Sequence, residues 1–315
     1  MRLWCVEKFY TDLLRLYTKY HCDAIFDLGD TFDSRSYIDI LTLDSILEQV
    51  YKLPKSKYNR RIIGNHDQYL KSNSISNSKV LQQIFDTVED RRIEYFDDTA
   101  CFFVSYPSDY KDTAKWIKSE ADKLKCRKLL FGHFQIKGAR LLTAEAATGM
   151  PLDVLTGFDQ VLLGHIHIAQ SLTDRIHYVG DPYQQNWGEA GQTKRVGLLD
   201  IGDSIHLKWI NLSGYPEYRD VDFDTFKKQV NRDEEHRYRV SLRSQDETQS
   251  FFSNPLSDRA VGTYVYDVEK ESKSEHKDTD WSLDSILSRY VDAVPANFDV
   301  SKSDLIDAGK MLIND

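Results

Sequence analysis

One pattern limits this chain more than any other. From Ala24 to about Asn211 a short apolar strand repeatedly runs into a glycine and a polar cluster: "AIFDLGDTFD", "RRIIGNHDQY", "KLLFGHFQIKG", "VLLGHIHIAQ" and "IHYVGDPYQQNWGE". Between the first two, Ile40, Leu43, Ile46, Leu47 and Val50 recur at helical spacing within residues 38–53. Alternating strands and helices predict an α/β layered core. In such cores, polar residues just past the carboxyl ends of strands are where sites form.

A chain of 315 residues, 41% hydrophobic and 29% charged, is large enough to bury a substantial core and reads as soluble. It contains no run of about 18 apolar residues, so no membrane span is expected. The opening segment, "MRLWCVEKFYTDLLRLYTKY", interleaves Leu3, Val6, Leu13, Leu14, Leu16 and Tyr17 with charged residues and reads as an amphipathic helix rather than a signal peptide. Cys5, Cys22, Cys101 and Cys126 are scattered, which fits a reducing cytoplasm and excludes a zinc motif. A net charge of −9 argues against autonomous nucleic-acid binding, so a polyanionic substrate needs metal ions or a partner to supply positive charge.

The expected organisation has three parts. Residues 1–213 form the layered core, closed by the hairpin "RVGLLDIGDSIHLKWINL". Residues 214–279 form a small α+β appendage: "HRYRVSLRS" and "GTYVYDVEK" alternate as strands, "DTFKKQV" is helical, "SQDETQSFFSNPLSD" is a loop, and "EKESKSEHKDTD" is a charged linker. Residues 280–315 hold two helices, the first with Leu283, Ile286, Leu287, Tyr290, Val291 and Val294 on one stripe. They pack either on their own domain or against a partner.

The strand-end clusters supply Asp30 and Asp33, then Asn65, His66 and Asp67, then His133, then His165 and His167. Each has an ordinary account taken alone: Asp33 as a helix cap, "GNHD" as a turn, His133 as a satisfied core histidine. Four successive strand ends of this composition are hard to obtain from packing alone. In extended backbone, His165 and His167 share one face. Mixed carboxylate, amide and imidazole donors suit manganese, iron or zinc. A pair of such ions activates water and stabilises phosphoryl-transfer charge, and a histidine outside the metal shell can protonate the leaving oxygen. In "YKLPKSKYNRR", Lys55, Lys57, Arg60 and Arg61 approach the "GNHD" strand, either as a phosphate-contacting patch or as a solvated loop.

Gly29-Asp30-Thr31-Phe32-Asp33, Gly64-Asn65-His66-Asp67, Gly132-His133 and Gly164-His165-Ile166-His167, in that order, resemble the calcineurin-like metallophosphoesterases. Within that family, "YVGDPYQQNWGE", the appendage and the helical tail are similar to the nuclease subunits of SbcCD and Mre–Rad type complexes, the T-even phage recombination nucleases most of all. The resemblance implies an αββα sandwich with a small α+β capping domain and a C-terminal helical tail. It implies a DNA repair and recombination nuclease, exonuclease or endonuclease, phage- or bacterium-encoded and cytoplasmic. Two Mn2+ ions would be bridged by Asp30, with Asn65, His133 and His165 around one and His167 serving the other. His66 would be the acid or transition-state stabiliser, and Asp33 and Asp67 would hold the loops behind the ligands. DNA and an ABC-type (SbcC/Rad-like) ATPase bound through residues 280–315 would be the partners, with a homodimer also expected. A phosphatase or small-substrate phosphodiesterase with the same metals, and a catalytically impaired adaptor for the ATPase, are the competing readings.

One departure stands out. The family begins with a strand bearing Asp-x-His, whereas this sequence begins with the amphipathic helix that follows that strand; His21 and Asp23 read as a helix end. One metal site then keeps four protein ligands and the other only Asp30 and His167. We expect a missing βα unit of about 20 residues rather than a strand donated by another chain or an abandoned site. Its loss predicts an exposed sheet edge or a central gap, and poor stability.

Overall fold

The first element is α1 (Leu3–Lys19), whose buried face carries Cys5, Val6 and Leu16, as the apolar spacing requires. It packs against α2 (Ile40–Val50), which starts at Asp39, whose side chain accepts a hydrogen bond from the Thr42 amide. The computed structural model describes residues 3–69, 76–77, 79–142, 144–230, 236–264, 303 and 305–306. Val6 on α1 and Ile46 and Val50 on α2 share one apolar cluster with Phe32, Leu53, Leu81, Ile84 and Phe85.

Beneath these helices lies a parallel three-stranded sheet, β1 (Phe26–Asp27), β2 (Arg60–Ile62) and β3 (Asp86–Val88), in that order. Among the described residues β1 pairs with β2 alone, so the sheet ends there on an open edge. A second, six-stranded sheet contains β4 (Arg91–Phe96), β5 (Thr99–Val104), β6 (Arg127–Gly132), β7 (Gln160–Leu163), β8 (Gln170–Ser171) and β9 (Ile176–Tyr178). Its order is β4-β5-β6-β7-β9-β8, parallel from β5 through β9 and antiparallel at both margins.

The two-residue period of β5 reveals the layering. Cys101 and Phe103 point into a cluster with Ile62, Val88, Leu129, Phe131 and Leu162, the seam between the sheets. Phe26 of β1 meets Phe131 edge-on at 4.7 Å across that seam. Ala100, Phe102 and Val104 point the other way, into a cluster with Leu130, Val161, Leu163, Ile176 and Tyr178. That face is covered by Ile117 and Ala121 of helix α3 (Tyr110–Asp122). The order helix, sheet, sheet, helix is the expected αββα sandwich.

The hairpin β10 (Arg195–Ile201) and β11 (Ile205–Asn211) forms as expected, and Leu199, Ile201, Leu207 and Trp209 add to the seam. Then come β12 (Tyr218–Asp222), α4 (Phe223–Gln229), β13 (Arg237–Leu242), α5 (Gln245–Phe252) and β14 (Ala260–Tyr264). The three strands are parallel around a core of Phe223, Phe226, Tyr238, Val240, Leu242 and Phe251. Helix α5 corrects the expectation of a loop there. Its polar composition hides a capped helix: the Ser244 side chain accepts from the Glu247 amide, and Phe251 anchors the far end in the core.

Met1–Tyr264 form one compact unit and Val265–Asp315 a second. The expected linker lies outside the described residues, as do the two tail helices apart from Ser303, Leu305 and Ile306, which are helical.

Candidate metal centre

Strands β1, β2, β6 and β7 all end on the same side of the sandwich, and their exit loops touch. The closeness is visible at glycines. A methyl group on Gly64 would lie 2.1 Å from Asp30 Oδ1, and one on Gly29 would lie 2.6 Å from the Gly64 nitrogen. Asp67 ties the two loops together, since its Oδ2 accepts from the amides of Asp30 (2.8 Å) and Gly64 (2.9 Å).

At this junction Asp30, His133 and His165 each present a ligand atom within 4.8 Å of the others. His133 Nε2 stands 3.0 Å from Asp30 Oδ2. Asn65 Oδ1 lies 3.1 Å from His133 Nε2 and 2.7 Å from His165 Nδ1. The other His133 nitrogen donates to the Leu28 carbonyl, so Nε2 is the nitrogen that faces the cluster. A carboxylate, an amide and two imidazoles therefore converge within hydrogen-bonding distance. In the orientation that satisfies its neighbours, the Asn65 amide nitrogen faces these three residues and its oxygen accepts from Arg35 and His66; the opposite orientation offers the oxygen to a cation. The donor set fits a borderline divalent ion.

The two imidazoles differ in their electrostatics. Burial, reinforced by His133, pushes His165 down to about 4, so it is neutral and ligand-ready at neutral pH. Burial works against the charge on both Asp30 and His133, yet each is outweighed by the other: Asp30 is held below its ordinary value and His133 above. Two of these residues, Asp30 (φ 58°) and His165 (φ 78°), sit in left-handed backbone. Such conformations cost roughly 1–3 kcal/mol each and persist where the surroundings impose them.

Of the expected supporting residues, Asp67 holds the loops through its side chain, whereas Asp33 acts through its backbone. The Asp33 carbonyl takes His66 Nδ1, while its carboxylate is 88% exposed and 4.0 Å away. His66 is partly exposed and its amide donates to Asp30 Oδ1 at 2.7 Å, which sets the ring at the mouth of the cluster.

The basic patch is corrected by half. Lys55 and Lys57 are exposed, but Arg60 and Arg61 are buried and ion-paired within the chain. Arg60 grips Glu94 with Nε and Nη2 at 2.8 and 2.6 Å. Arg61, fully buried, reaches Asp67 Oδ1 at 2.7 Å, Asn77 Oδ1 at 2.9 Å and Asp27 at 3.3 Å. Strand β2 is covered on both faces, so both guanidiniums point inward and carboxylates from distant segments neutralise them.

His167 belongs to a second group, with Asp181 and Glu189, rather than to the Asp30 group. Its Nδ1 lies 3.2 Å from Glu189 Oε1, which leaves Nε2 as the nitrogen for a cation. Buried Lys194 ion-pairs with both carboxylates, 2.8 Å from Glu189, so much of their charge is already matched. The Glu189 hydrogen bond raises His167; burial opposes the Glu189 charge, but His167 and Lys194 hold it down at about 2. Asp181 and Glu189 escaped the sequence reading. Their only local signal is the "GDPYQQNWGE" run, and Lys194 adds nothing to it without the fold.

No family model matches this chain. It is 21% identical over 298 residues to "Exonuclease subunit 1" of Enterobacteria phage T4, covering 90% of this chain and 85% of that protein. It is also 24% identical over 218 residues to "Putative phosphoesterase 078R" of Invertebrate iridescent virus 3, covering 66% of this chain and 61% of that protein, less than two thirds of its length. With the two candidate metal clusters, these similarities amount to a distant relationship with the calcineurin-like metallophosphoesterase and nuclease superfamily.

Proposed function

We propose that this chain hydrolyses phosphodiesters at the Asp30 centre with divalent cations, Mn2+ foremost. The observation that carries the reading is the convergence of ligand atoms from Asp30, His133 and His165 within 4.8 Å, with the Asn65 amide beside them. When bound, the cations supply Lewis-acid stabilisation of the phosphoryl oxygens and an activated water. The chain's own part is to fix the ligands and deliver a proton. His133 is oriented by the Leu28 carbonyl, Asp30 by Asp67, and His66 by the Asp33 carbonyl. That last contact leaves His66 Nε2 to protonate a departing alkoxide.

DNA is the polymer substrate we favour, because similarity to an exonuclease subunit runs through 90% of the chain, appendage included. In this reading residues 280–315 bind an ABC-type ATPase, Lys55 and Lys57 approach the backbone, and a homodimer is the working assembly. A small-substrate phosphodiesterase is the second reading. It is favoured by the burial of Arg60 and Arg61, which removes half of the expected phosphate-contacting charge from a chain of net charge −9.

The deciding experiment measures Mn2+-dependent turnover of bis(4-nitrophenyl) phosphate and of duplex DNA, the latter with and without an ATPase partner. Turnover abolished by chelator is expected. His66→Ala should lower kcat by about 100-fold or more while Mn2+ binding by calorimetry is unchanged. Loss of Mn2+ binding in that variant would overturn the role of His66. Absence of turnover on both substrates would leave the chain as an adaptor.

A further inference from the structure

The metal cluster has an apolar neighbour. A cavity of about 310 Å³ is lined by Leu141, Leu142, His165, Ile166, His167 and Ile168. Its two imidazoles come one from each metal-binding group, and the rest of its wall is hydrocarbon. This wall therefore lies within reach of an ester arm on a phosphate held at His165.

The wall is built and yet uncovered. Leu142 is 47% exposed, unusual for a leucine beside a polar centre. The segment bearing it is pinned: the Arg140 amide donates to Gln170 Oε1 at 2.9 Å, Gln170 Nε2 returns a bond to the Arg140 carbonyl at 2.8 Å, and the Leu141 amide donates to the Ala144 carbonyl at 2.7 Å. Leu142 also rests on Gly188, where any side chain would collide with it at 2.7 Å. Gly188 adjoins Glu189, the partner of His167, so the ledge is registered to the second cluster as well.

Resting on the phosphodiester reading above, we propose that this cavity seats the base of a nucleotidyl phosphodiester, and that Leu142 sets the preference for a base-bearing arm over a bare sugar phosphate. The volume lies at the small end of ligand pockets, enough for one ring system and short for an acyl chain. Leucine and isoleucine walls accept the face of any base without reading its edge, so the preference is for a base rather than for one base.

Calorimetry with the full chain in Mn2+ tests this with thymidine 5′-monophosphate and deoxyribose 5-phosphate, which carry thymine and a hydroxyl respectively at C1. The nucleotide should bind about tenfold more tightly. Leu142→Asn, polar but uncharged, should erase that difference and Leu142→Ala should reduce it, both leaving the sugar phosphate unchanged. Equal affinities in the unmodified protein, or a preference that survives both substitutions, would overturn the pocket alone. If neither phosphate binds while bis(4-nitrophenyl) phosphate is turned over, the pocket alone falls; if that diester is not turned over either, the phosphodiester reading falls and the pocket with it.

Discussion

Arg61 shows how far a single side chain can depart from its apparent role. In sequence it extends a basic run; in the fold it is a buried cation between Asp27 and Asp67 that indirectly fixes the Asp30 loop. Removing one partner of a buried ion pair leaves the other uncompensated and costs about 3–5 kcal/mol. Arg61→Leu should therefore lower the urea midpoint strongly. Burial already pushes Asp67 up against the pull of Arg61. In the variant it should rise further, so the folded state binds a proton that the unfolded state lacks. Stability then falls as pH rises, and the deficit narrows on acidification. Denaturation midpoints of both proteins at several pH values check the sign; a deficit that grows in acid would contradict it. The same contrast explains why Asp30, Asn65, His133 and His165 were legible and Asp181 was not. Asp181 also follows a strand-ending glycine, Gly180, so position alone does not separate it; its carboxylate gains meaning only from His167 and Lys194, which other loops bring to it.

Elements were read best where one face is clearly apolar. Helix α1, the strand ends and the hairpin are of this kind. Helix α5 was missed because its stabilisation lies in its cap and one anchoring phenylalanine, not in periodicity. Ser244→Ala should cost about 1 kcal/mol by removing the cap, measurable in urea. The docking of α1 involves a polar contact that no pattern predicts: Asp12 accepts from Lys8 at 2.8 Å and from the Tyr215 hydroxyl at 2.9 Å. Burial opposes the Asp12 charge, but these bonds outweigh it and lower its pKa. Its stabilising effect is complete above the ordinary carboxylate range and is lost as pH falls through the lowered value. Thermal melts of the unmodified protein and Asp12→Asn should thus differ at neutral pH and converge in acid.

For the whole molecule, contacts divide the chain after Tyr264. A protein ending there should unfold cooperatively and keep Mn2+ affinity while losing the proposed ATPase association, checked by calorimetry and sizing chromatography. Unaltered association would move the partner surface elsewhere. No helix among the described residues is long and apolar enough to cross a membrane, in keeping with the apolar run lengths. The sequence by itself determined the layered α/β class and the strand ends that carry Asp30, Asn65, His133 and His165. Strand period and glycine punctuation are local properties, and parallel strands necessarily end on one side. Only the tertiary structure decided which charges are spent internally. Whether Arg60, Arg61 and Lys194 face water or a carboxylate depends on residues up to 34 positions away, as Arg60 and Glu94 illustrate. It likewise placed Leu142 beside the histidines, because a ledge built from separate loops leaves no mark in either one.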